Sequence, residues 1–286
     1  MIVGSEITSI RSARVKAARQ LARRSARQRT RLFLAEGPQA VREALAGPGR
    51  VVTEVFVTAS GGTRYEEIAQ DAAADGVPVH AVSGEVMAEL AQTVTPQGVL
   101  AVCRFVDVPL DELLIEGTPR LVVLLANVRD PGNAGTVLRT ADAAGADAVV
   151  FSDASVDPYN GKCVRASAGS LFHLPVVVGS PLGGAASALR GAGMQVLAAD
   201  GSASRELDEL DAAGGLRRPT AWLFGNEAWG LPSDLLELAD EAIAVPIYGR
   251  AESLNLSAAA AVCMYASARA QGARRAVRPE GSAAAG

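Results

Sequence analysis

Short apolar runs alternate with amphipathic stretches through the first 105 residues. Runs of β-branched and aliphatic residues are typical of strands, whereas apolar positions three or four residues apart are typical of helices. Because the two types alternate, we expect a parallel α/β sheet in this half of the chain. The predicted strands are Leu32–Ala35, Val51–Val57, Val77–Val82 and Gly98–Phe105, and the predicted helices are Pro38–Ala46, Tyr65–Ala74 and Glu85–Gln92.

The alternation resumes after residues 107–119, which contain Pro and Gly and are interpreted as a linker with a short helical piece. Continuous apolar strands, such as the first of this half, indicate a parallel sheet buried on both faces. A last helix is expected from about Ser253 to Ala270, and residues 271–286 have the low-complexity composition of a disordered tail. The predicted strands are Leu121–Ala126, Ala148–Phe151, Leu174–Val178, Gln195–Ala199, Trp222–Phe224 and Ala242–Val245.

Composition excludes several classes of protein. The longest aliphatic run, Leu121–Ala126, is far shorter than the roughly 20 residues of a membrane span. The N-terminus lacks the pattern of a secretory signal. Three distant cysteines form neither a disulfide framework nor a zinc motif, and the only histidines are His80 and His173. We therefore expect a cytoplasmic globular protein with no membrane association and no metal site.

Basic residues are concentrated near the N-terminus. Nine positive side chains lie between Arg11 and Arg31, and no acidic residue occurs between Glu6 and Glu36. A solvated helix normally mixes both signs of charge. In a chain with 27 basic and 31 acidic residues, this asymmetry predicts a surface that binds nucleic-acid phosphates. The residues expected to bind RNA here are Arg14, Lys16, Arg19, Arg23, Arg24, Arg27 and Arg31.

The strand at Leu121–Ala126 runs into a loop with two glycines at residues 130–135, and a helix is predicted to start near Thr136. Main-chain N–H groups at such a helix start bind anions. The loop lacks the GxGxxG of dinucleotide-binding units and the GK[ST] of phosphate-binding loops. Arg139, one turn inside this helix, is either an ordinary surface residue or a functional one.

Two further polar segments follow buried strands. Residues 221–232 (AWLFGNEAWGLP) form either a plain turn or a ligand-binding loop. Residues 245–270 (VPIYGRAESLNLSAAAAVCMYASARA) contain a polar cluster at the start of a nearly apolar helix, which we expect to be buried. There Ser253 is either an N-cap or part of a site that holds a ligand.

Taken in order, DPGNAGTVLRTADAAG, LFGNEAWGLP and VPIYGRAESLNLSAAAAV resemble the three signature motifs of the SpoU (TrmH-like) branch of the SPOUT methyltransferases. The resemblance covers residues 120–270. It extends to a fourth stretch, KCVRASAG, which begins at Lys162 and is soon followed by FHLP. Residues 10–105 resemble the ribosomal-protein-like substrate-binding domain of many members, chiefly in FLAEG (33–37) and TPQGV (95–99). We therefore expect a substrate-binding domain over 1–106 and a methyltransferase domain over 120–270.

The resemblance implies S-adenosylmethionine-dependent methylation of a ribose 2′-hydroxyl in structured RNA. The favoured substrate is 23S ribosomal RNA, and transfer RNA is the alternative. It also implies a C-terminal trefoil knot, a homodimer and no metal. By motif matching, the implied catalytic residues are Arg139, Asn133, Glu227, Ser253 and Asn255. The implied cofactor-binding residues are Leu223, Phe224, Gly225, Asn226, Glu227, Val245, Ile247, Leu254, Asn255 and Leu256, and Arg165 joins the RNA-binding set.

Two functions from other classes compete with this interpretation. A non-catalytic RNA-binding protein would keep the basic segment but give the third motif no purpose. A nucleotide-dependent oxidoreductase conflicts with the absence of GxGxxG. Within the methyltransferase interpretation, Arg139 is protonated at any ordinary pH. Stabilisation of a developing alkoxide, or a contact to an RNA phosphate, is therefore favoured over literal proton abstraction.

Overall fold

The computed structural model contains two α/β units, each built around one sheet; it describes residues 5–58, 64–115, 117 and 119–272. The strands are β1 (Leu32–Glu36), β2 (Val52–Thr58), β3 (Val79–Val82), β4 (Val99–Arg104), β5 (Leu121–Leu125), β6 (Ala148–Ser152), β7 (Val176–Ser180), β8 (Gln195–Ala199), β9 (Arg205–Glu206), β10 (Thr220–Phe224) and β11 (Glu241–Ala244). The helices are α1 (Ala13–Gln20), α2 (Arg24–Thr30), α3 (Pro38–Ala46), α4 (Glu66–Ala74), α5 (Gly84–Leu90), α6 (Leu110–Ile115), α7 (Pro131–Ala144), α8 (Gly161–Ser167), α9 (Leu182–Gly191), α10 (Leu207–Ala212), α11 (Ser233–Leu236) and α12 (Leu256–Ala270).

The sheet of the N-terminal unit has the strand order β1-β4-β2-β3. Strand β4 runs antiparallel to both β1 and β2, and only β2 and β3 are parallel. The expectation of a parallel sheet in this half was therefore wrong. The alternation in the sequence predicts which elements form. It does not predict the direction of a strand such as β4, which enters the sheet between two others.

The sheet of the C-terminal unit has the order β7-β6-β5-β10-β8-β11-β9, and every pairing in it is parallel. The central strands β5 and β10 are buried along their whole length, which confirms the prediction of a sheet covered on both faces. Strand β9 was not predicted, because it has only two residues and both are charged. Parallel strands end at one edge of the sheet, so the loops after β5, β10 and β11 meet there.

Helix α7 begins at Pro131 rather than near Thr136. Asp130 is its N-cap, and its carboxylate accepts a hydrogen bond from the Asn133 N–H at 2.8 Å. Proline suits the first helical position. The supposed loop glycines belong to this helix, and Gly135 permits close packing, because a Cβ there would lie 2.3 Å from the Cys163 carbonyl oxygen.

Helix α12 differs from its prediction in two respects. It begins at Leu256 with Asn255 as its N-cap, so Ser253 lies outside it. It is also not buried all round, because Val262 and Tyr265 are 43% and 53% exposed. The predicted disordered tail falls largely on residues 273–286, which lie outside the described residues.

The basic N-terminal segment forms two helices, α1 and α2, and its charges have partners that are distant in sequence. Arg27 is 2% exposed and donates to the Asp157 carboxylate through Nε at 2.9 Å and Nη2 at 2.7 Å. Its assignment to the RNA-binding set was therefore wrong, because RNA cannot reach a buried guanidinium. Ion pairs to Glu54, Glu89 and Asp107 likewise engage Arg14, Arg19 and Arg31.

The two units share one continuous hydrophobic core. The ring of Phe33 on β1 lies 4.8 Å from that of Tyr159 and 6.0 Å from that of Phe172, measured between centroids. We call this contact region the joint. Besides these rings and the pair between Arg27 and Asp157, it contains the ion pair between Arg165 and Glu36 at 2.9 Å, and His173, which contacts Glu43 and Asp142.

Two features of the described residues bear on other classes of function. No helix in this part of the chain is long and apolar enough to cross a membrane. Nor does this part contain a group of three or more His, Cys, Asp or Glu side chains arranged to hold a metal ion.

Candidate functional site

Three polar side chains, one from each of the three motif segments, meet at the carboxyl edge of the parallel sheet. Asn133 on α7 donates through Nδ2 to Glu227 Oε1 at 3.1 Å, and its Oδ1 accepts from Asn255 Nδ2 at 3.1 Å. The side-chain amide of Asn133 therefore joins the loop after β10 to the start of α12. We call Asn133, Glu227 and Asn255 the cluster. All three side chains are accessible to solvent.

The position of Glu227 follows from the tight loop after β10. Its carboxylate accepts long hydrogen bonds from the N–H groups of Arg129 and Asp130, at 3.5 and 3.4 Å. Asn226 is buried and donates through Nδ2 to the Asn127 carbonyl at 2.7 Å, which fixes the loop against the end of β5. Gly225 is required here, since a Cβ would lie 2.4 Å from the main chain of Gly230.

Asn255 has two roles at once. Its Oδ1 accepts from the Ser257 N–H at 2.9 Å and so caps α12, while its Nδ2 reaches Asn133. An N-cap of this kind satisfies one of the unpaired N–H groups at the helix start. The cap that was considered for Ser253 is thus supplied two residues later.

The structure does not bring Ser253 or Arg139 into the cluster. Both are exposed, and neither makes a side-chain hydrogen bond or an ion pair with another residue in the described part of the chain. Arg139 follows Asn133 by six positions on α7, so the two side chains leave the helix about 120° apart. Within the described residues of its own chain, Arg139 is therefore a cation without an acidic partner.

Asp130 and Lys162 form an ion pair beside the cluster that the motif matching did not assign. Lys162 Nζ lies 2.7 Å from Asp130 Oδ2. The hydrogen bonds from Lys162 and from the Asn133 N–H hold the pKa of Asp130 below its ordinary value. This pair connects the start of α8 to the start of α7. The available signal was the KCVRASAG stretch, which begins at Lys162.

The segments expected to hold the cofactor differ in what they offer. The side chains of Leu223 and Phe224 are fully buried, so only their main chain faces the site. By contrast, Ile247 and Leu254 expose apolar side chains, and Val245 and Leu256 lie at the two ends of this segment. Within the described residues, no N–H group between Val245 and Leu254 donates a hydrogen bond. Exposed aliphatic groups and free main-chain donors fit an adenosine-containing ligand.

An exposed aromatic residue on the rim of the site was also missed. Trp229 is 53% exposed, and the Arg129 guanidinium lies 5.1 Å from the centroid of its indole. Both residues neighbour Glu227 in space. A tryptophan in a loop written GNEAWGLP was treated as part of a turn, although an exposed indole is a frequent stacking surface for bases.

The residues expected to bind RNA fall into three groups. Arg27 is buried, as described above, and Arg165 is half-buried and paired with Glu36. Arg14, Arg19 and Arg31 are exposed but paired with acidic residues. The members of the predicted set that are exposed and have no ion pair in the described part of the chain are Lys16, Arg23 and Arg24.

Comparisons with known proteins identify the family of each half of the chain. A family model described as the SpoU rRNA methylase family matches residues 120–265, and one described as the MRM3-like substrate-binding domain matches residues 12–101. The chain is 36% identical over 263 residues to the 23S rRNA (guanosine(2553)-2′-O)-methyltransferase RlmP of Bacillus subtilis, covering 91% of this chain and 98% of that one.

Two solved structures are similar over nearly the whole chain. One is the AdoMet-bound rRNA methyltransferase from Sinorhizobium meliloti, with a TM-score of 0.78, 30% identity, and coverage of 93% of this chain and 97% of that one. The other is the SpoU methyltransferase AviRb from Streptomyces viridochromogenes in complex with AdoMet, with a TM-score of 0.76, 27% identity, and coverage of 90% and 98%.

Proposed function

The chain belongs to the SpoU rRNA methylase family, and on this premise we propose that it transfers a methyl group from S-adenosylmethionine to a ribose 2′-hydroxyl of 23S ribosomal RNA. One observation carries the proposal: the Asn133 amide joins Glu227 and Asn255 at the edge of the sheet, so polar groups from three distant segments converge. A non-catalytic RNA-binding protein has no use for this convergence.

When bound, the cofactor supplies an electrophilic methyl group on a sulfonium. We propose that the main chain of residues 223–227 and residues 245–256 hold it. In this arrangement Ile247 and Leu254 pack against the apolar part of the adenosine, and the free N–H groups of the same segment bind its polar edges. Leu223 and Phe224 contribute main chain only, because their side chains belong to the core.

The ribose hydroxyl is a poor nucleophile, and the protein must orient it and stabilise the charge that develops on its oxygen. The accessible atoms of the cluster offer hydrogen bonds to the ribose. Arg139 offers positive charge and has no acidic partner in the described part of its own chain. Because the guanidinium stays protonated, it acts as an electrostatic partner of the oxygen or of a neighbouring phosphate.

The remaining expectations belong to the same proposal. We propose a homodimer in which the exposed side of α12, with Val262 and Tyr265, contributes to the contact, and in which Arg139 of one protomer serves the site of its partner. The exposed apolar side chains support this arrangement, as does the angle of about 120° that separates the Arg139 and Asn133 side chains on α7. We also propose that the segment after β11 forms the trefoil knot that the family resemblance implies.

Residues 1–106 would then bind RNA, residues 107–119 would connect the two domains, and residues 120–270 would carry out the methyl transfer. Lys16, Arg23 and Arg24 are exposed cations of the predicted set that are available to phosphates, and Trp229 is available to stack on a base. We propose a cytoplasmic location, because ribosomal RNA of bacteria is made and assembled there.

Methyl transfer from radiolabelled S-adenosylmethionine to 23S rRNA transcribed in vitro tests the proposal. A 2′-O-methyl group blocks alkaline cleavage at its nucleotide, so the product is mapped by the missing band in a hydrolysis ladder. Transfer RNA transcripts form the second arm. Label in transfer RNA alone would favour the alternative substrate, and label in neither RNA by a chain that binds the cofactor would contradict the proposal.

A further inference from the structure

A cleft of about 300 Å³ lies at the joint, next to the ion pair between Glu36 and Arg165. We propose that this cleft binds one unstacked nucleobase of the RNA substrate, near the nucleotide that is methylated. The proposal rests on the proposed function and names a second RNA contact for it. Besides Glu36, the polar side chains that line the cleft are those of Gln39, Thr93, Thr95, Gln97 and Arg165.

Three segments that the cluster does not use converge on this cleft. FLAEG contributes Glu36 and Gly37, TPQGV contributes Thr95 and Gln97, and KCVRASAG contributes Arg165. Gly37 has a φ of +95°, and a Cβ there would lie 2.7 Å from Gln97 Oε1. The absence of a side chain at Gly37 thus allows the Gln97 amide to lie against the loop.

The charge balance of the cleft favours a neutral ligand over a phosphate. The Glu36 side chain is 7% exposed and accepts hydrogen bonds from the Gln92 N–H at 3.1 Å, the Thr93 hydroxyl and Arg165 Nη1 at 2.9 Å. It neutralises Arg165, which is the only cation among the described residues that line the cleft. An anion there would meet a compensated charge and a neighbouring carboxylate, whereas a base brings no charge.

The cleft retains hydrogen-bonding groups suited to the edge of a base. The Thr95 hydroxyl and the Gln97 side-chain amide make no hydrogen bond to another described residue, and Arg165 uses only one of its five donors within the same part of the chain. Proteins that bind single-stranded RNA read bases with amides and hydroxyls and stack them on guanidinium planes. The half-buried Arg165 guanidinium, held in place by Glu36, provides such a plane.

The position of the cleft relative to the cluster supports an RNA ligand. Lys162, at the start of α8, is paired with Asp130 at the start of α7, and Arg165 follows one helical turn later. On the same helix, a Cβ at Gly161 would lie 2.4 Å from Gln92 Oε1, so the loop that carries Thr93 and Thr95 approaches α8 closely. The cleft and the cluster therefore lie along one side of α8.

Salt-dependent binding of 23S rRNA transcribed in vitro tests the inference on the full-length chain. We expect Thr95→Val and Gln97→Ala each to weaken RNA binding by about 3- to 10-fold. The slope of log affinity against log salt should not change, because a base contact releases no counterion. Cofactor affinity should also stay at the wild-type value.

Two further variants control the experiment. Val94→Ala changes a fully exposed residue of the same loop outside the cleft, and it should leave RNA binding unchanged. Lys16→Ala removes a phosphate contact and should lower the salt slope by about 1. The unfolding temperature of each variant distinguishes the loss of an RNA contact, which leaves it unchanged, from destabilisation of the joint, which lowers it.

Three outcomes would overturn the inference. These are wild-type RNA affinity in the stable double variant Thr95→Val/Gln97→Ala, a changed salt slope in either single variant, or an affinity loss matched by an equal loss for Val94→Ala. Should either variant unfold, Arg165→Lys keeps the charge beside Glu36 but removes the plane, and wild-type RNA affinity in that variant also overturns it. Failure of methyl transfer by the wild-type chain refutes the proposed function while leaving the affinity comparison valid.

Discussion

The cluster and the joint both connect segments that are distant in sequence, but they do so with opposite physical properties. In the cluster, the hydrogen bonds made by the side chains of Asn133 and Glu227 are accessible to water and span 3.1 to 3.5 Å. In the joint, the pair between Arg27 and Asp157 is buried and 2.7 Å long. Long, exposed hydrogen bonds are readily exchanged for bonds to a ligand, whereas short buried ones hold the frame.

The largest expected effect lies in the joint. Arg27→Ala leaves the Asp157 carboxylate buried without its partner, and removing one member of a buried ion pair costs about 3–5 kcal/mol of the free energy of unfolding. Urea denaturation of both proteins measures it. The double variant Arg27→Met/Asp157→Asn removes both charges but keeps an acceptor for the Tyr159 N–H, and it should regain much of the loss. A cost below about 1 kcal/mol for Arg27→Ala would show that the pair does not hold the joint.

Replacing Arg139, which lies outside the cluster on the same helix as Asn133, should change the rate of methyl transfer and not the stability. Arg139→Ala should reduce the single-turnover methyl-transfer rate at least about 10²-fold, because an unpaired cation that stabilises a developing oxyanion acts in the chemical step. Cofactor affinity and the unfolding temperature should stay at wild-type values, because Arg139 has no ion pair in the described part of its own chain. A near-normal rate would remove Arg139 from the catalytic set.

Arg139→Lys is the matched variant for the chemistry. It keeps the charge, and partial activity that does not vary with pH supports the electrostatic role. Activity that climbs as the pH approaches the lysine pKa supports proton abstraction instead.

Asn255 should affect both stability and turnover, since it caps α12 and also contacts Asn133. Asn255→Ala should lower the free energy of unfolding by about 1 kcal/mol and also reduce turnover. Asn255→Asp keeps the oxygen that accepts from Ser257 but loses the donor to Asn133. We expect this variant to unfold at close to the wild-type temperature with reduced methyl transfer. Wild-type turnover in Asn255→Asp would mean that the residue is only a cap.

The smallest expected effect is the pH dependence of the joint. Burial lowers the pKa of His173, but hydrogen bonds to Asp142 and Glu43 outweigh it and raise the pKa above its ordinary value of 6.5. The stabilising contribution of His173 is therefore complete below about pH 6.5 and is lost as the pH rises through the raised value. The unfolding temperature of wild type minus that of His173→Gln, measured from about pH 5.5 to about pH 8.5, should fall. A constant difference would contradict the assignment.

Local patterns predicted the elements well and their pairing less well. Helix α3 and strand β8 begin and end at the predicted residues, because their apolar spacing and flanking Pro or Gly are local signals. The direction of β4 and the start of α7 were wrong. The first depends on contacts across the sheet, and the second on a proline that was treated as a loop residue.

The site shows the same limit. The motif segments supplied Asn133, Glu227 and Asn255, and the structure brings these three together. The burial of Arg27 against a residue 130 positions away has no local signature. The KCVRASAG stretch drew attention to Lys162, but it did not specify Asp130 as its partner. The sign and spacing of the charges in a segment can be read from its sequence. Which residues pair with those charges depends on tertiary packing.

The rigidity of the joint bears on how the enzyme selects its target. Because the two units share one hydrophobic core and a buried ion pair, they cannot move independently as flexibly linked domains do. The distance between the basic surface of α1 and α2 and the cluster is therefore fixed by the fold. If the proposed function is correct, we expect an RNA to be methylated only when its recognised element and its target ribose match that distance, and we expect a nucleotide inserted between them to abolish methylation.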